Sequence, residues 1–218
     1  MPDLIGFLHT AAVHVATFTK LVSDAAPELH QRHIVNEALL SDAQRDGASD
    51  ASIVARIHAA MRAAASGSAR VVVCTCSTIG GAAESMVTSG AFTALRIDRA
   101  MADRAVTLGP RVLVLAALAS TLEPTQQLIE SSCARANARI AARYLLVEDA
   151  WQYFVAGNRD AYCQAIARKI QAEAKQADVI VLAQASMAPA AELVGELGIE
   201  VLSSPRLGVQ NAIHRLRT

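Results

Sequence analysis

Short β-branched apolar runs alternate along the chain with longer Ala-rich stretches that carry apolar residues at helical spacing. The runs have the length of buried strands, and the stretches have the period of amphipathic helices. This alternation is typical of βα units that build a parallel sheet. The predicted strands are Asp3–Leu8, Arg32–Val35, Arg70–Thr75, Val112–Ala116, Arg143–Val147, Asp178–Ala183 and Glu200–Leu202. The predicted helices are Ala11–Ser23, Ser49–Ser66, Gly81–Thr88, Ile97–Leu108, Glu123–Ala136, Arg159–Ala177, Ala188–Leu197 and Pro205–Arg217.

Two segments of the chain resemble each other. RVVVCTCST, starting at Arg70, and RVLVLAALAST, starting at Arg111, are both Arg-led apolar strands that end in a Ser-Thr pair. Two similar α/β lobes facing each other account for such a repeat. Open α/β sheets bind ligands at the carboxyl ends of their strands, so we expect the ligand between the lobes at these ends.

The composition fits this architecture and narrows the functions. Of 218 residues, 53% are hydrophobic and only 4% are aromatic, so the core must consist of Ala, Val, Leu and Ile. The 20 basic residues balance the 20 acidic ones, so the chain has no net positive charge that would attract nucleic acid or an anionic membrane. His9 and His14 interrupt the apolar N-terminal stretch and no basic region precedes it, so we expect no signal peptide and no membrane span.

The cysteines indicate a reducing compartment. Their spacing is not of the zinc-binding type, and Cys74 and Cys76, two apart on one strand, point to the same face and cannot comfortably form a disulfide. Free thiols are typical of the cytoplasm. His30 and His33 have a faintly metal-like spacing but no evident third ligand, so a solvated loop entering a strand is favoured and no metal site is predicted. The four cysteines are Cys74, Cys76, Cys133 and Cys163.

Cys76 is the residue that most clearly indicates chemistry. It follows the predicted strand Arg70–Thr75, and Gly80-Gly81 opens a helix shortly after it. The N–H groups and dipole of a helix N-terminus lower a cysteine pKa from ~8.5 to roughly 3.5–7.5, so we expect a reactive thiolate. Ser77 and Thr78 are placed to hold a carboxylate beside it. The alternative interpretation is a small apolar side chain that fills the end of a strand.

Hydroxyls and amides also follow several other predicted strands, and no Lys or Arg does so before Arg206. Neutral donors at helix N-termini are suited to a small carboxylate. The alternative for each hydroxyl is ordinary helix capping, but the set, arranged around one thiol, favours a ligand site. The candidate substrate-binding residues are Thr10, Ser77, Thr78, Ser120, Thr121, Gln184, Ala185 and Ser186, and His9 is a candidate catalytic residue.

These motifs resemble the cofactor-independent aspartate/glutamate racemase superfamily, which includes hydantoin racemases, maleate isomerases and arylmalonate decarboxylases. Cys76-Ser77-Thr78 is similar to its first Cys-Asn/Ser-Thr motif. The likeness covers nearly the whole chain. Further similar segments, in order, are RIDRAMADRAVTLG (Arg96–Gly109), LASTLEPT (Leu118–Thr125), ADVIVLAQASMAP (Ala177–Pro189) and LSSPRLGV (Leu202–Val209).

The resemblance implies an α/β fold of two pseudosymmetric lobes, each a parallel sheet flanked by helices, with the active site in the cleft between them. We predict residues 1–95 plus 204–218 for the first lobe and 96–203 for the second. In the family each lobe offers one cysteine to opposite faces of a small carboxylic acid, without pyridoxal phosphate, metal or nucleotide. Relatives of this kind also suggest a homodimer.

The second lobe departs from the family pattern, because Gln184 falls where the second cysteine is expected. An amide cannot relay a proton, and a general acid or base contributes typically about 10²- to 10⁴-fold in rate. His9, whose imidazole titrates near neutrality, is the candidate replacement; the alternative is a histidine hydrogen-bonded under the loop. We therefore predict a racemase/isomerase-type enzyme that performs cysteine-assisted proton transfer next to a carboxylate. The alternatives are a single-cysteine decarboxylase, a cis–trans isomerase of a small dicarboxylate, and a non-catalytic carboxylate-binding protein.

Overall fold

The computed structural model describes residues 3–218, which divide into two compact units. Unit 1 comprises residues up to Asp98 together with Pro205–Thr218, and unit 2 comprises Arg99–Ser204. Unit 1 is therefore discontinuous in the chain, because its last helix is made only after unit 2.

Unit 1 contains a four-stranded parallel sheet in the order β2-β1-β3-β4. Helices flank the sheet, as the βα alternation predicts. The strands are β1 (Leu4–His9), β2 (His30–Val35), β3 (Val71–Cys74) and β4 (Thr93–Arg96). The helices before unit 2 are α1 (Val13–Ala25), α2 (Ala38–Asp46), α3 (Ala51–Ala65) and α4 (Ser77–Glu84).

Unit 2 contains a second parallel sheet, in the order β6-β5-β7-β8. Its strands are β5 (Arg111–Ala116), β6 (Ala141–Leu146), β7 (Val179–Leu182) and β8 (Glu200–Ser203). Its helices are α5 (Arg99–Ala105), α6 (Leu122–Ala136), α7 (Ala150–Val155) and α8 (Arg159–Glu173), with 3₁₀ helices at Ala119–Thr121, Ala174–Gln176 and Ala185–Leu193. The final helix, α9 (Ser204–Arg217), returns to unit 1.

Each unit has its own apolar core of mostly aliphatic side chains. In unit 1, helix α3 is fixed at its start by Asp50, whose carboxylate accepts the N–H groups of Ser52 and Ile53 at 2.9 and 3.2 Å. Its apolar face packs on β1 so closely that a Cβ at Gly6 would lie 2.5 Å from the Ala64 carbonyl oxygen. In unit 2, helix α8 contributes buried residues including Tyr162, Ile166 and Ile170.

Helix α9 packs against unit 1 through contacts at its far end. Arg70 donates to the Leu216 carbonyl at 2.7 Å, and Arg217 forms a 2.6 Å ion pair with Glu28. These bonds join the last residues of the chain to segments from the first third of it.

The predicted fold class is confirmed: both sheets are parallel and flanked by helices. Both also place their strands in the order second, first, third, fourth. The repeat seen in the sequence does not follow this correspondence, because RVVVCTCST forms the third strand of unit 1 and RVLVLAALAST the first strand of unit 2. Within residues 3–218, no helix is long and apolar enough to cross a membrane.

Several element boundaries differ from the predictions for physical reasons. β4 was missed because its polar ends, Thr93 and Arg96, hide the apolar run. α2 was missed as well. The predicted helix Ala188–Leu197 is instead the 3₁₀ helix Ala185–Leu193, which contains Pro189.

His30 and His33 both lie in β2, which begins two residues before the predicted strand Arg32–Val35. His30 is exposed, whereas His33 is half-buried. The predicted loop therefore does not include His30, whereas His33 lies in the strand as predicted.

Candidate active site

Cys76 lies at the carboxyl edge of the unit 1 sheet, immediately before α4. Pairing with β1 continues past the end of β3, because the N–H of Thr75 donates to the Leu8 carbonyl at 2.9 Å. Cys76 then keeps an extended backbone, with φ −103° and ψ 118°, and is the N-cap of α4. The helix begins at Ser77, a turn earlier than the predicted Gly81–Thr88, so the thiol stands directly at the helix N-terminus.

The surroundings of the Cys76 sulfur raise its pKa, contrary to the thiolate expected from the sequence. Desolvation of the half-buried side chain is the largest cause, because it favours the neutral thiol. Hydrogen bonding from the hydroxyls of Thr10 and Thr78 and from the N–H groups of Ile79 and Thr78 acts in the opposite direction. At neutral pH Cys76 is therefore a protonated thiol among groups that stabilise its anion.

Three predicted substrate-binding residues are close to this thiol. Thr10 follows β1, and Ser77 and Thr78 form the first turn of α4. All three are buried. Unit 1 therefore brings the predicted thiol together with the hydroxyl-bearing residues that sequence analysis assigned to it.

A buried ion pair supports the turn that carries the thiol. Arg96, at the end of β4, holds Asp98 through bonds of 2.6 and 3.1 Å, and both side chains are almost completely buried. Arg96 Nη2 also donates to the Ser77 carbonyl at 3.4 Å. A Cβ at Gly80 would lie 3.1 Å from Arg96 Nε, so the absence of a side chain there allows α4 to approach the guanidinium.

Sequence analysis did not single out Arg96 or Asp98. The signal was present in the sequence RID, where an arginine ends an apolar segment and an acidic residue follows two positions later. A charged pair of this kind next to a buried strand indicates a buried salt bridge, because neither charge is tolerated alone in a core.

His9 is buried in a hydrogen-bond network and does not titrate near neutrality. Its Nδ1 lies 2.8 Å from Thr75 Oγ1, and its Nε2 lies 2.8 Å from His33 Nδ1. Desolvation, together with the nearby imidazoles of His33 and His14, lowers the pKa of His9 to about 3. The expected neutral-range titration of His9 is therefore wrong, because burial disfavours the imidazolium.

In unit 2, a hydrogen bond between Ala117 and Gln184 links the segments that follow β5 and β7. Gln184 Oε1 accepts the N–H of Ala117 at 2.6 Å, and the residue is largely buried. Because a backbone N–H can bond only the oxygen of the amide, this contact fixes which end of the side chain carries the donors. Gln184 thus offers a neutral N–H₂ group and no titratable proton.

The other predicted unit 2 residues lie in two groups. Ser186 and the neighbouring Ala185 begin the 3₁₀ helix after β7, and Ser186 Oγ is 2.8 Å from the hydroxyl of Tyr162. Ser120 and Thr121 follow β5; the Ser120 Oγ is buried without a hydrogen-bond partner among residues 3–218. Burial raises the pKa of Tyr162, which sequence analysis did not select because it lies within a regular amphipathic helix.

Cys76 and Gln184 occupy corresponding positions within their own units. Each follows the third strand of its sheet and is the extended N-cap of the next helix. In both units the preceding residue donates its N–H to the first strand at 2.9 Å. The described residues contain no group of three or more His, Cys, Asp or Glu side chains that could hold a metal ion.

Comparison with known families agrees with this topology. The family model of Asp/Glu/hydantoin racemases matches residues 9–212. The chain belongs to this family. The family resemblance stated from the motifs is thus confirmed, and with it the racemase/isomerase class of enzyme, with the reaction unspecified. No curated protein matches the sequence significantly.

Solved structures of this family have the same fold at low sequence identity. The Picrophilus torridus aspartate racemase is 16% identical over 99% of this chain and 94% of that one, with a TM-score of 0.69. The Pseudomonas fluorescens allantoin racemase is 17% identical over 98% and 91%, with a TM-score of 0.62. A cysteine-for-glycine mutant of arylmalonate decarboxylase is 16% identical over 99% and 94%, with a TM-score of 0.63. At these identities the likeness establishes the fold alone.

Proposed function

We propose that this racemase-family protein catalyses cofactor-independent proton transfer at the carbon next to the carboxylate of an amino acid or related small acid, with Cys76 as the acid/base or nucleophile. The observation that carries the proposal is the thiol at the N-terminus of α4, whose anion is favoured by Thr10, Thr78 and backbone N–H groups. A helix N-terminus also attracts a substrate carboxylate. Ser77, Thr78 and Thr10 are the proposed binding groups in unit 1.

The pairing of Arg96 supports a proton-transfer site rather than a phosphate site at Cys76. The guanidinium of Arg96 is held by Asp98 beneath the turn and is buried. Neutral donors remain to hold the substrate carboxylate, and such donors stabilise the developing negative charge of an enolate without needing to reorganise.

A reaction with one protonation is the second candidate, and the raised pKa of Cys76 favours it. In a decarboxylation of a malonate-type acid, the bond to the leaving carboxylate breaks, CO₂ departs, and the electron pair forms an enediolate. The Cys76 thiol then gives its proton to the carbon, and the resulting thiolate regains a proton from water. This sequence begins from the protonated thiol, which is the resting state at neutral pH.

The chemistry of Gln184 also favours one protonation over symmetric racemisation. A racemase that works from two faces needs a second group that exchanges protons, and an amide does not titrate. We propose that Gln184 takes the place of the second acid/base and acts as a donor to the substrate. Ser120, Thr121, Ala185 and Ser186 remain proposed substrate-binding residues of unit 2.

Incubation with candidate acids in deuterated water tests the proposal. Aspartate, glutamate, hydantoins and substituted malonates are screened for deuterium at the α-carbon, for inversion, and for release of CO₂. Racemisation indicates a second acid/base besides Cys76, whereas one deuterium per CO₂ released indicates the decarboxylase. Cys76→Ser is expected to lower the rate by about 10²- to 10⁴-fold.

Cys133→Ser is the matched control, since Cys133 is a half-buried thiol of α6 without a proposed role. The proposal fails if Cys76→Ser turns over substrate as fast as this control. Binding of small acids without exchange or CO₂ release by the unmodified protein would instead indicate a carboxylate-binding protein.

We also propose a reducing, cytoplasmic setting and a homodimer. All four cysteines are free, which supports a compartment where disulfides do not form. The dimer rests on the family resemblance, and sedimentation equilibrium of the full chain measures it directly.

A further inference from the structure

Three side chains on one face of the unit 1 sheet form a continuous hydrogen-bond chain. Thr75 follows β3, His9 ends β1 and His33 lies in β2, so the chain crosses three adjacent strands. The Thr75–His9 and His9–His33 contacts are both 2.8 Å. His9 and Thr75 are buried, and Phe7 stacks on His33 with ring centroids 5.1 Å apart.

Further polar groups bond to both ends of the chain. The Thr75 hydroxyl is 2.8 Å from His9 Nδ1 and can also donate to the Leu8 carbonyl at 3.2 Å, whose second lone pair accepts the Thr75 N–H. At the outer end, His33 Nε2 lies 3.2 Å from the Thr19 hydroxyl and 3.3 Å from Gln31 Oε1. Every polar group of the chain therefore has a hydrogen-bond partner, whether the protons point toward Leu8 or toward Thr19 and Gln31.

This arrangement suits a structural role for His9 rather than a role as an acid or base. Both ring nitrogens of His9 are engaged, so no ring atom is left to meet a substrate. The titratable groups facing His9 are His33 from β2 and His14 from α1. Both are imidazoles and supply no carboxylate that would stabilise a protonated His9.

The hydrogen-bond chain of Thr75, His9 and His33 links the two strand ends that precede the proposed reactive groups. His9 directly precedes Thr10, and Thr75 directly precedes Cys76. We propose that His9 is a positioning residue, which bonds Thr75 at Nδ1 and His33 at Nε2 and thereby keeps the Thr10 hydroxyl beside the Cys76 sulfur. The inference rests on the proposed role of Cys76, but the contact itself can be measured without any turnover.

The test is the rate at which iodoacetamide alkylates Cys76 in the full chain as a function of pH. His9→Leu removes the hydrogen-bond partner of Thr75, and we expect about one unit of upward pKa shift in Cys76, so that labelling at pH 8 falls about tenfold. His9→Asn restores a polar group near the position of Nδ1 that can bond the Thr75 hydroxyl, and should recover most of the labelling rate. His30→Ala changes an exposed histidine of the same β2 strand and should leave the profile unchanged.

Labelling profiles for His9→Leu that match the unmodified protein would overturn the proposal, as would an equal loss in His9→Asn. If His9→Leu does not fold, ¹⁵N shifts of His9 in the unmodified protein decide: they should show one fixed tautomer with both ring nitrogens hydrogen-bonded, and a ring that exchanges between tautomers overturns the proposal. Failure of the proposed function gives a different result, namely normal labelling of Cys76 without turnover of any acid.

Discussion

Replacing Gly80 by alanine tests whether Arg96 supports the thiol-bearing turn. A Cβ at this position would lie 3.1, 3.2 and 3.3 Å from Nε, Cβ and Cζ of Arg96. The guanidinium cannot move away freely, because Asp98 holds it at 2.6 and 3.1 Å and the Ser77 carbonyl at 3.4 Å. Overpacking of this kind costs about 1–3 kcal/mol.

Gly81 provides a matched control in the same helix. A Cβ there would be 3.6 Å from Arg96 Nη1, an ordinary van der Waals distance. Both substitutions gain about 1 kcal/mol from the higher helix propensity of alanine. Gly81→Ala should therefore stabilise the protein by roughly that amount, and Gly80→Ala should be about 1–3 kcal/mol less stable than Gly81→Ala, because the propensity gain cancels in the difference.

Urea unfolding of the two variants, followed by circular dichroism at one pH, measures this difference directly. Alkylation of Cys76 supplies a second measurement, since displacement of Arg96 shifts the Ser77 turn in Gly80→Ala only. Equal free energies of unfolding for the two variants, with equal labelling of Cys76, would refute the assignment of Arg96 as the support of this turn.

Three further predictions concern charge, pH and the second unit. Asp98→Asn leaves the buried Arg96 guanidinium uncompensated and should lower the free energy of unfolding by about 3–5 kcal/mol in urea titrations. His9 takes up a proton in the unfolded chain below its ordinary pKa of 6.5 but in the folded protein only near 3, so stability should fall as the pH drops between these values; at pH 5 this group contributes a loss of about 2 kcal/mol, which His9→Asn should abolish. Gln184→Cys places a thiol at the position where the motif resemblance implies a second cysteine, and it should increase α-proton exchange or inversion measured by ¹H NMR in deuterated water.

Each of these predictions has a contradicting outcome. Glu200→Gln is the control for the ion pair, because it breaks only an exposed pair with Arg104. Equal free energies of unfolding for Asp98→Asn and Glu200→Gln would contradict the prediction. For the pH effect the contradicting outcome is an undiminished acid dependence in His9→Asn. For the thiol it is an unchanged exchange rate in a Gln184→Cys protein whose new cysteine is alkylated.

The fold could be predicted because apolar patterning reports burial directly. β3 and β7 are four-residue runs in which every side chain is buried, and both were found from the sequence. β4 was not found, because it ends in Arg96, which is buried beside Asp98. A pattern of apolar residues does not reveal a charged residue that is buried with an oppositely charged partner.

The proximity of Cys76 to Thr10 and Thr78 was predictable from the sequence, whereas the electrostatics around the thiol were not. Cys76 and the hydroxyls of Thr10 and Thr78 lie next to one another, as expected for residues that follow adjacent parallel strands. The pKa of Cys76 nevertheless shifts upward, since desolvation depends on how tightly the first turn of α4 packs. For His9 the sequence left a titrating imidazole and a hydrogen-bonded histidine as alternatives, and its neighbours across the sheet, Thr75 and His33, favour the second.

The discontinuity of unit 1 bears on the order in which the protein can be made. A ribosome completes residues 99–204, a contiguous unit, before it synthesises α9. A nascent chain can thus finish its second half while its first half still lacks a structural piece, the reverse of the usual N-terminal-first order. Premature termination shortly after Ser204 would accordingly leave the thiol-bearing half, rather than the glutamine-bearing one, exposed to proteolysis.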